Sequence, residues 1–333
     1  MNVLITGGCG FIGARLAARL LELGEATPSS GEVQPIERLT VCDVIDPIPP
    51  LPINDPRLEV VQGSFSDKGV LDRVINEGQP ELVFHLAAIV SGGAEEDFDL
   101  GMSINLHGMS TLLEALRSLP RTPRLVFASS VAVFGGAMPE TITDGTALNP
   151  QTSYGGQKAM SEFLVNDYSR KGFIDGRALR LPTISVRGGK ANKAASSFAS
   201  SIIREPLEGR PYACPVPRET DVWILSPRRV VDHFIHAANL PADNWGPQRA
   251  VALPGITVSI ETMVESMARL AGTGMAERIR WESDPVIEKI VSGWPTRFAP
   301  ERALSMGFQP DGSIDEIIQA FIEDEKPAGV PLS

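Results

Sequence analysis

The strongest constraint on the fold lies in the first thirteen residues of the chain. An apolar run over residues 3–6 leads into Gly7, Gly10 and Gly13, and the residues that follow have an amphipathic helical period. Glycine permits positive φ and close backbone approach in a tight turn. A strand, a glycine turn and a helix start together cradle phosphate, because backbone N–H groups at a helix start face an anion. This order predicts a Rossmann-type α/β fold.

The rest of the first half alternates short apolar runs with helical patterns, as a doubly wound parallel sheet requires. We predict strands over residues 2–6, 39–43, 58–62, 82–86, 125–129 and 176–181, and helices over residues 12–23 and 102–119. Beyond residue 181, Gly, Pro and Arg interrupt the apolar runs. The sequence therefore predicts a cofactor-binding Rossmann domain over residues 1–181. Residues 182–333 would form mainly a smaller C-terminal α/β lobe that binds substrate, with some segments returning to the first domain.

Asp43 ends the second predicted strand, where a carboxylate bonds the two hydroxyls of a ribose and repels a 2'-phosphate. This position favours NAD over NADP. The spacing from Gly13 exceeds the usual ~20 residues, and a predicted surface insertion over residues 25–37 accounts for the excess. An alternative is that Asp43 only caps a loop.

Tyr154 and Lys158 are four residues apart, so in a helix they lie on one face, one turn from each other. A nearby ammonium favours the phenolate and brings the pKa of a tyrosine closer to neutrality. The pair therefore predicts a base that accepts a proton from a substrate hydroxyl, with Ser130 aligning that oxygen.

Composition excludes several classes of protein. The chain has 333 residues, 43% of them hydrophobic, and a net charge of -11, which argues against a nucleic-acid surface. Three scattered cysteines and four histidines offer no metal-ligand spacing, so we predict no metal site. No signal peptide or membrane-spanning run is evident, and we expect a cytoplasmic protein that has no membrane partner.

Several motifs together resemble the extended short-chain dehydrogenase/reductase family, also called the NAD-dependent epimerase/dehydratase family. They are the glycine turn, residues 85–88 (HLAA), 105–108 (NLHG) and 129–135 (SSVAVFG), and Tyr154 with Lys158. The resemblance implies hydride transfer to NAD with Tyr154, Lys158 and Ser130 as catalytic residues. It also implies a cofactor site formed by Gly7, Gly10, Phe11, Ile12, Gly13, Asp43, Ser64, Phe65, Leu86, Ala87, Ala88, Asn105, Tyr154, Lys158, Pro182 and Thr183.

Within that set, Ser64 and Phe65 resemble the adenine contacts, and residues 86–88 resemble the cofactor wall. Pro182 and Thr183 match the contact to the nicotinamide carboxamide. Ser64 stands where an aspartate is common in the family, so the chain departs from the family pattern at the contact to the adenine amine.

The residues that follow Ser130 reduce the number of possible reaction types. Family members that eliminate water or carbon dioxide have carboxylates directly after this serine, because elimination needs a further acid and base. Val131 and Ala132 occupy those positions and cannot transfer a proton. Simple oxidation and epimerisation both remain open.

Residues 89–98, 150–154 and 181–207 resemble the branch of the family that oxidises D-erythronate, a four-carbon sugar acid, at the carbon beside its carboxylate. Arg187, Lys190 and Lys193 would offer cations to that carboxylate. An ordinary solvated loop is the alternative for any one of them. The substrate residues implied by this resemblance are Ser91, Ser130, Tyr154, Arg187, Asn192 and Lys193.

Two other functions remain open at this point. A nucleotide-sugar 4-epimerase would keep NAD tightly bound and return the hydride, and a cofactor-sensing protein would bind NAD without turnover. The family resemblance also implies a homodimer that is built from two helices of each subunit, one of them the helix of Tyr154.

Overall fold

The computed structural model describes residues 1–189 and 194–329, and its contacts divide the chain into two compact units. The first unit comprises residues 1–133, 152–180 and 231–251, and the second comprises residues 134–151, 181–230 and those from 252 onward. The domain boundary predicted after residue 181 stays a prediction.

Strands and helices alternate along the described chain. The strands are β1 (Asn2–Thr6), β2 (Glu25–Ala26), β3 (Gln34–Pro35), β4 (Arg38–Asp43), β5 (Leu58–Gln62), β6 (Leu82–His85), β7 (Arg124–Ser130), β8 (Ile142–Thr143), β9 (Asp175–Leu181), β10 (Thr183–Ile184), β11 (Tyr212–Cys214), β12 (Asp221–Leu225), β13 (Ala250–Ala252), β14 (Ile256–Ser259), β15 (Ile279–Trp281) and β16 (Phe298–Ala299). The helices are α1 (Phe11–Leu23), α2 (Lys68–Leu71), α3 (Ser91–Glu96), α4 (Phe98–Gly101), α5 (Gly108–Arg117), α6 (Ser153–Arg170), α7 (Phe198–Leu207), α8 (Pro227–Asn239), α9 (Ile260–Ala271), α10 (Pro285–Val291), α11 (Glu301–Ser305) and α12 (Ile314–Glu325).

The largest sheet confirms the predicted Rossmann-type fold. Within the described residues, seven strands form it in the order β13-β9-β7-β6-β1-β4-β5. The pairs β1–β4, β1–β6, β4–β5 and β6–β7 are parallel. The strand order reverses on either side of β1, and ligands of such sheets bind in the crevice at the carboxyl ends of the strands at that point. The ends of β1 and β6 therefore mark the expected site.

Apolar side chains on both faces explain why the central strands form. All four residues of β6 are buried, and α1 and α5 pack leucines such as Leu16, Leu20 and Leu112 into the interior. Burial of one such side chain stabilises the fold by about 1.5–3 kcal/mol. This burial stabilises the strands that carry the site residues.

The second unit has a smaller mixed sheet in the order β10-β12-β14. β10 runs parallel to β12, and β14 runs antiparallel to it. Apolar residues of α7, α9 and α12 form the core of this unit, among them Phe198, Met263 and Phe321. The smaller α/β lobe expected from the sequence matches this second sheet and its helices.

Two predicted segments differ in detail from the structure. The helix predicted over residues 102–119 begins as a π-helical stretch, Met102–His107, before α5. A π turn widens the backbone spiral and is frequent near functional sites. The predicted insertion over residues 25–37 contains the short antiparallel pair β2–β3, which follows α1 after Gly24 in the left-handed region at φ 73°.

Candidate active site

The glycine turn joins β1 to α1, as predicted. Gly7 has φ +72°, and a Cβ on it would lie 2.7 Å from the backbone nitrogen of Ala87. A Cβ on Gly13 would overlap the carbonyl oxygen of Gly7. Both glycines are therefore required by packing within the turn. Gly10 differs, because a Cβ there would meet only the Gly7 oxygen, at 3.3 Å. The missing side chain of Gly10 leaves room on the outside of the turn.

The first backbone N–H groups of α1 lie next to this space beside Gly10, and no side chain caps them. Gly10 precedes the helix in an extended conformation and has no side chain that caps it, and the first helical turn carries no acidic residue. Phe11 and Ile12 form the beginning of this turn. A helix start of this kind presents N–H groups and a partial positive charge, which suit a phosphate.

Asp43 lies beside the turn at the end of β4. Its Oδ2 accepts a hydrogen bond from the backbone N–H of Cys9 at 3.0 Å, and its Oδ1 accepts one from that of Val44 at 2.7 Å. The turn predicted to meet the phosphate and the carboxylate predicted to meet the ribose are therefore adjacent. Burial, with a smaller effect of Asp43, raises the pKa of the Cys9 thiol to about 11. Cys9 is a protonated thiol that fills the turn.

The segment after β6, predicted as the cofactor wall, packs against the turn, where Ala87 and Leu86 leave no room for a side chain on Gly7. The backbone N–H of Leu86 donates to the carbonyl of Thr6 at 3.0 Å, and Ala87 and Ala88 follow it. Asn105 holds the end of this segment. Its Oδ1 accepts from the N–H of Ile89 at 2.8 Å, and its Nδ2 donates to the Ile89 carbonyl at 3.0 Å.

Asn105 also connects the wall to α6. Its Nδ2 donates to Oε1 of Gln157 at 2.8 Å, and its carbonyl accepts from the hydroxyl of Ser161 at 3.1 Å. The amide of this buried residue is occupied by protein partners, so Asn105 acts on the site by fixing the wall and the helix. The NLHG motif is the one sequence signal for this arrangement.

Ser64 and Phe65 follow β5. The Ser64 hydroxyl lies 2.7 Å from that of Ser66, and the Phe65 ring is buried in the core with its edge toward His85, at 4.9 Å between ring centroids. Gly108 leaves space for this ring. A ligand contact with Phe65 would therefore involve its backbone.

The predicted catalytic residues lie at the end of β7 and the start of α6. Thr152 caps α6 through a bond from the N–H of Gly155 to its hydroxyl at 3.1 Å. The Lys158 ammonium donates to the carbonyl of Ala128 at 2.8 Å and lies 5.5 Å from the centroid of the Tyr154 ring. Tyr154 is half-buried, whereas Lys158 is buried. The spacing read from the sequence thus brings the phenol and the ammonium together.

Burial dominates the electrostatics of Lys158. Desolvation lowers the pKa of its ammonium to about 7, and the charge of Glu162 opposes that shift. His85 is also buried, and desolvation together with the charge of Lys158 lowers its pKa to about 3. The imidazole is therefore neutral at physiological pH, and its Nδ1 lies 2.6 Å from the hydroxyl of Thr6. His85 is therefore a core residue next to Thr6, the last residue of β1.

Ser130 is the last residue of β7 and is half-buried. Its Oγ accepts from the backbone N–H of Ala132 at 3.1 Å, within a 3₁₀ turn over Val131–Val133. Ser91 begins α3 and is also half-buried. Both serines belong to the first unit.

The other predicted site residues belong to the second unit or lie outside the described residues. Pro182 precedes β10, which begins at Thr183. The N–H of Arg187 donates to the hydroxyl of Ser200 at 3.1 Å, and its carbonyl accepts from Arg204 at 2.9 Å. Lys190, Asn192 and Lys193 are not among the described residues.

Sequence reasoning missed a buried carboxylate next to Lys158. Glu162 lies one turn further along α6 and forms an ion pair with Arg180 of β9 at 2.8 Å. The only sequence signal was its spacing of four residues from Lys158. In residues 1–189 and 194–329, no group of three or more His, Cys, Asp or Glu is placed to hold a metal ion. No helix in the same part of the chain is long and apolar enough to cross a membrane.

The model of the NAD dependent epimerase/dehydratase family matches residues 3–244, and the chain belongs to this family. It is 52% identical to a D-erythronate dehydrogenase of Cupriavidus necator, over 97% of this chain and 98% of that protein. A D-erythronate dehydrogenase of Haemophilus influenzae is 45% identical, over 97% and 99%.

Among solved structures, the chain is similar to a nucleoside-diphosphate-sugar epimerase from Agrobacterium tumefaciens. The TM-score is 0.90 at 40% identity, and the match covers 98% of this chain and 94% of that one. The family and its dehydrogenase members confirm the predicted enzyme class, an oxidoreductase.

Proposed function

We propose that this protein is an NAD-dependent dehydrogenase of a short sugar acid and converts D-erythronate to 2-dehydro-D-erythronate. The observation that carries the proposal is the buried Lys158 ammonium, 5.5 Å from the centre of the Tyr154 ring on one face of α6. Two relatives at 52% and 45% identity that are named D-erythronate dehydrogenase support the substrate.

The residues of the first unit fit NAD. Gly10 leaves space for a phosphate beside the open start of α1, and the Asp43 carboxylate at the end of β4 suits the ribose hydroxyls. A 2'-phosphate would meet the negative charge of Asp43, so we expect NAD rather than NADP. NAD, when bound, supplies the hydride acceptor.

The protein residues would handle the proton. Tyr154 as phenolate would accept the proton of the substrate hydroxyl. The carbon that bears this hydroxyl would lose a hydride to NAD, so that the alcohol becomes a carbonyl. Lys158 stabilises the phenolate by its charge, and Ser130 holds the reacting oxygen by a hydrogen bond. Such general-base assistance contributes roughly 10²- to 10⁴-fold to the rate.

The substrate carboxylate needs a cation, since the protein as a whole is strongly acidic. We assign this role to Arg187 and Lys193, with Asn192 and Ser91 as hydrogen-bonding partners of the substrate. A guanidinium binds a carboxylate through two parallel hydrogen bonds, whereas an ammonium acts as a point charge.

A second copy of this chain is the partner that we propose. α6 and the neighbouring α4 expose apolar side chains, with Phe163 at 66% and Phe98 at 57% exposure, together with Met160 and Leu100. Exposed apolar clusters mark association sites in soluble proteins.

We also place the protein in the cytoplasm, because its three cysteines are free thiols.

The second candidate is a nucleotide-sugar 4-epimerase, favoured by the similarity to the Agrobacterium epimerase. An NADH-appearance assay over four- and five-carbon aldonic acids and UDP-sugars separates the two. The proposal predicts NADH accumulation with D-erythronate. Turnover of UDP-sugars alone, without net NADH, would overturn it.

A further inference from the structure

Glu162 lies one helical turn beyond Lys158, on the face of α6 that also carries Tyr154. The two side chains are buried, with exposures of 4% for Glu162 and 2% for Lys158. Transfer of a charge into a low-dielectric interior is costly unless an opposite charge or hydrogen bonds compensate it. Each of these two charges therefore depends on its neighbours.

The Glu162 carboxylate is fixed by donors on two strands. Oε1 accepts from the Ser129 hydroxyl at 2.5 Å and from Nε of Arg180 at 3.0 Å, and Oε2 accepts from Nη2 of Arg180 at 2.8 Å. Arg180 thus grips the carboxylate with two parallel bonds, the strong geometry for this pair. The position of Glu162 relative to β7 and β9 is set independently of Lys158.

The groups packed against the Lys158 ammonium come from three elements: Tyr154 and Glu162 from α6, His85 from β6, and Phe127 with the Ala128 carbonyl from β7. Arg180 of β9 reaches this group through Glu162. His85 carries no charge at physiological pH, because burial lowers its pKa to about 3. The one permanent negative charge in this set is that of Glu162.

We propose that Glu162 is a positioning residue of the hydride-transfer site: its carboxylate, held by Arg180 and Ser129, raises the fraction of Lys158 that is protonated beside Tyr154 at neutral pH. This inference rests on the proposed function of the Tyr154–Lys158 pair and adds the group that maintains it. It is consistent with the direction in which Glu162 acts on the pKa of Lys158, opposing the lowering caused by burial.

Three variants then have effects of predictable sign. Glu162→Gln removes the negative charge and its ion pair with Arg180, so Lys158 should lose its proton at lower pH. Arg180→Met leaves the carboxylate uncompensated, so Lys158 should hold its proton to higher pH. The double variant removes both charges and should return the titration close to that of the wild type. General loosening of the fold would not produce opposite signs.

The experiment is an NMR titration of the full-length protein labelled at the lysine Cε carbons, with the Lys158 signal assigned by its absence in Lys158→Met. The wild-type midpoint is expected at about 7. We expect a fall of about one pH unit or more in Glu162→Gln and a rise of similar size in Arg180→Met, because each removes one charge near the ammonium. If Glu162→Gln does not fold, Arg180→Met and the double variant still show in which direction the carboxylate shifts the Lys158 midpoint.

The pH profile of kcat/KM for D-erythronate then tests the effect on catalysis. With less charge on Lys158, the Tyr154 phenolate forms at higher pH, so Glu162→Gln should shift the rising limb upward and lower kcat/KM about tenfold at neutral pH. The double variant should recover most of this loss. The NMR titration needs no turnover, so it remains decisive even if the wild type oxidises no sugar acid.

Asp175→Asn is the matched control, since it removes another buried carboxylate that pairs with arginines. It should lower stability and leave the Lys158 midpoint and the pH profile unchanged. Three results would overturn the proposal: a Lys158 midpoint unaffected by Glu162→Gln or Arg180→Met, a double variant no closer to wild type than either single one, or a shifted midpoint without a shifted rate profile.

Discussion

The two ends of β9 carry buried ion pairs that differ in what surrounds them. At the amino end, Asp175 accepts from Nε of Arg124 and Nη2 of Arg177, each at 2.8 Å, and also pairs with Arg249. Remaining guanidinium N–H groups donate to carbonyls, for example from Arg124 to Thr27 at 2.8 Å. Every charge in this cluster has a fixed partner, so the cluster holds strands and the end of α8 together.

At the carboxyl end, Arg180 pairs with Glu162, but a second cation lies close by. Within the described part of the chain, Lys158 is compensated by a carbonyl, by aromatic rings and by the charge of Glu162, and burial brings its pKa to about 7. Breaking a fully compensated buried pair destabilises the fold, whereas an incompletely compensated ammonium can gain or lose its proton near neutrality. The amino end of β9 therefore has a structural role, whereas its carboxyl end lies beside a group that can titrate in the candidate active site.

Tyr154→Phe should produce the largest effect, and it should act on rate alone. Loss of the hydroxyl removes the base, so kcat should fall roughly 10²- to 10⁴-fold, while NAD binding, followed by calorimetry, stays within about twofold. A protein that only senses NAD would keep its function in this variant. Retained turnover would show that another group moves the proton.

Asp175→Asn should destabilise the ion-pair cluster at the amino end of β9. Removal of one partner from a buried ion pair costs about 3–5 kcal/mol, because uncompensated guanidinium charge stays inside. Denaturant unfolding should report this loss. Active-site titration of the folded fraction should give an unchanged kcat, and a reduced kcat per folded molecule would contradict a purely structural role.

Gly10→Ala tests whether the open side of the turn is where the cofactor lies. The added methyl group would meet only the Gly7 oxygen, at 3.3 Å, so the fold should persist. We expect NAD affinity to drop about tenfold, since the backbone of this glycine should approach the pyrophosphate. Gly156→Ala, where a Cβ meets nothing within 4 Å, is the control and should bind NAD normally.

The smallest expected effect is a change in the pH dependence of stability. Lys158 has a folded pKa of about 7, below its ordinary value of 10.5, so between these values the unfolded state binds more protons than the folded state. Stability should therefore rise by about 1 kcal/mol from pH 7 to pH 8 because of this group. Comparison of wild type with Lys158→Met by chemical denaturation isolates the contribution. An equal slope in both proteins would place Lys158 in a more hydrated setting.

Local sequence patterns predicted the parts of the fold and site that depend on local spacing. Apolar runs predicted β1 and β5 with their observed bounds, and the four-residue spacing predicted that Tyr154 and Lys158 share a face. Contacts between distant segments were not predictable in this way. Glu162 of α6 pairs with Arg180 of β9, and Asn105 forms a hydrogen bond with Gln157, fifty-two residues later in the chain. No periodicity within one element encodes such partners.

The most direct test of the central claim uses D-erythronate that carries deuterium on the carbon beside its carboxylate. We expect the wild-type enzyme to form deuterated NADH and 2-dehydro-D-erythronate in equal amounts, and Tyr154→Phe to form almost none. Unlabelled NADH would show oxidation at another carbon. Deuterium retained in a sugar product, without free NADH, would show that the hydride returns to the substrate and would contradict the assignment as a dehydrogenase.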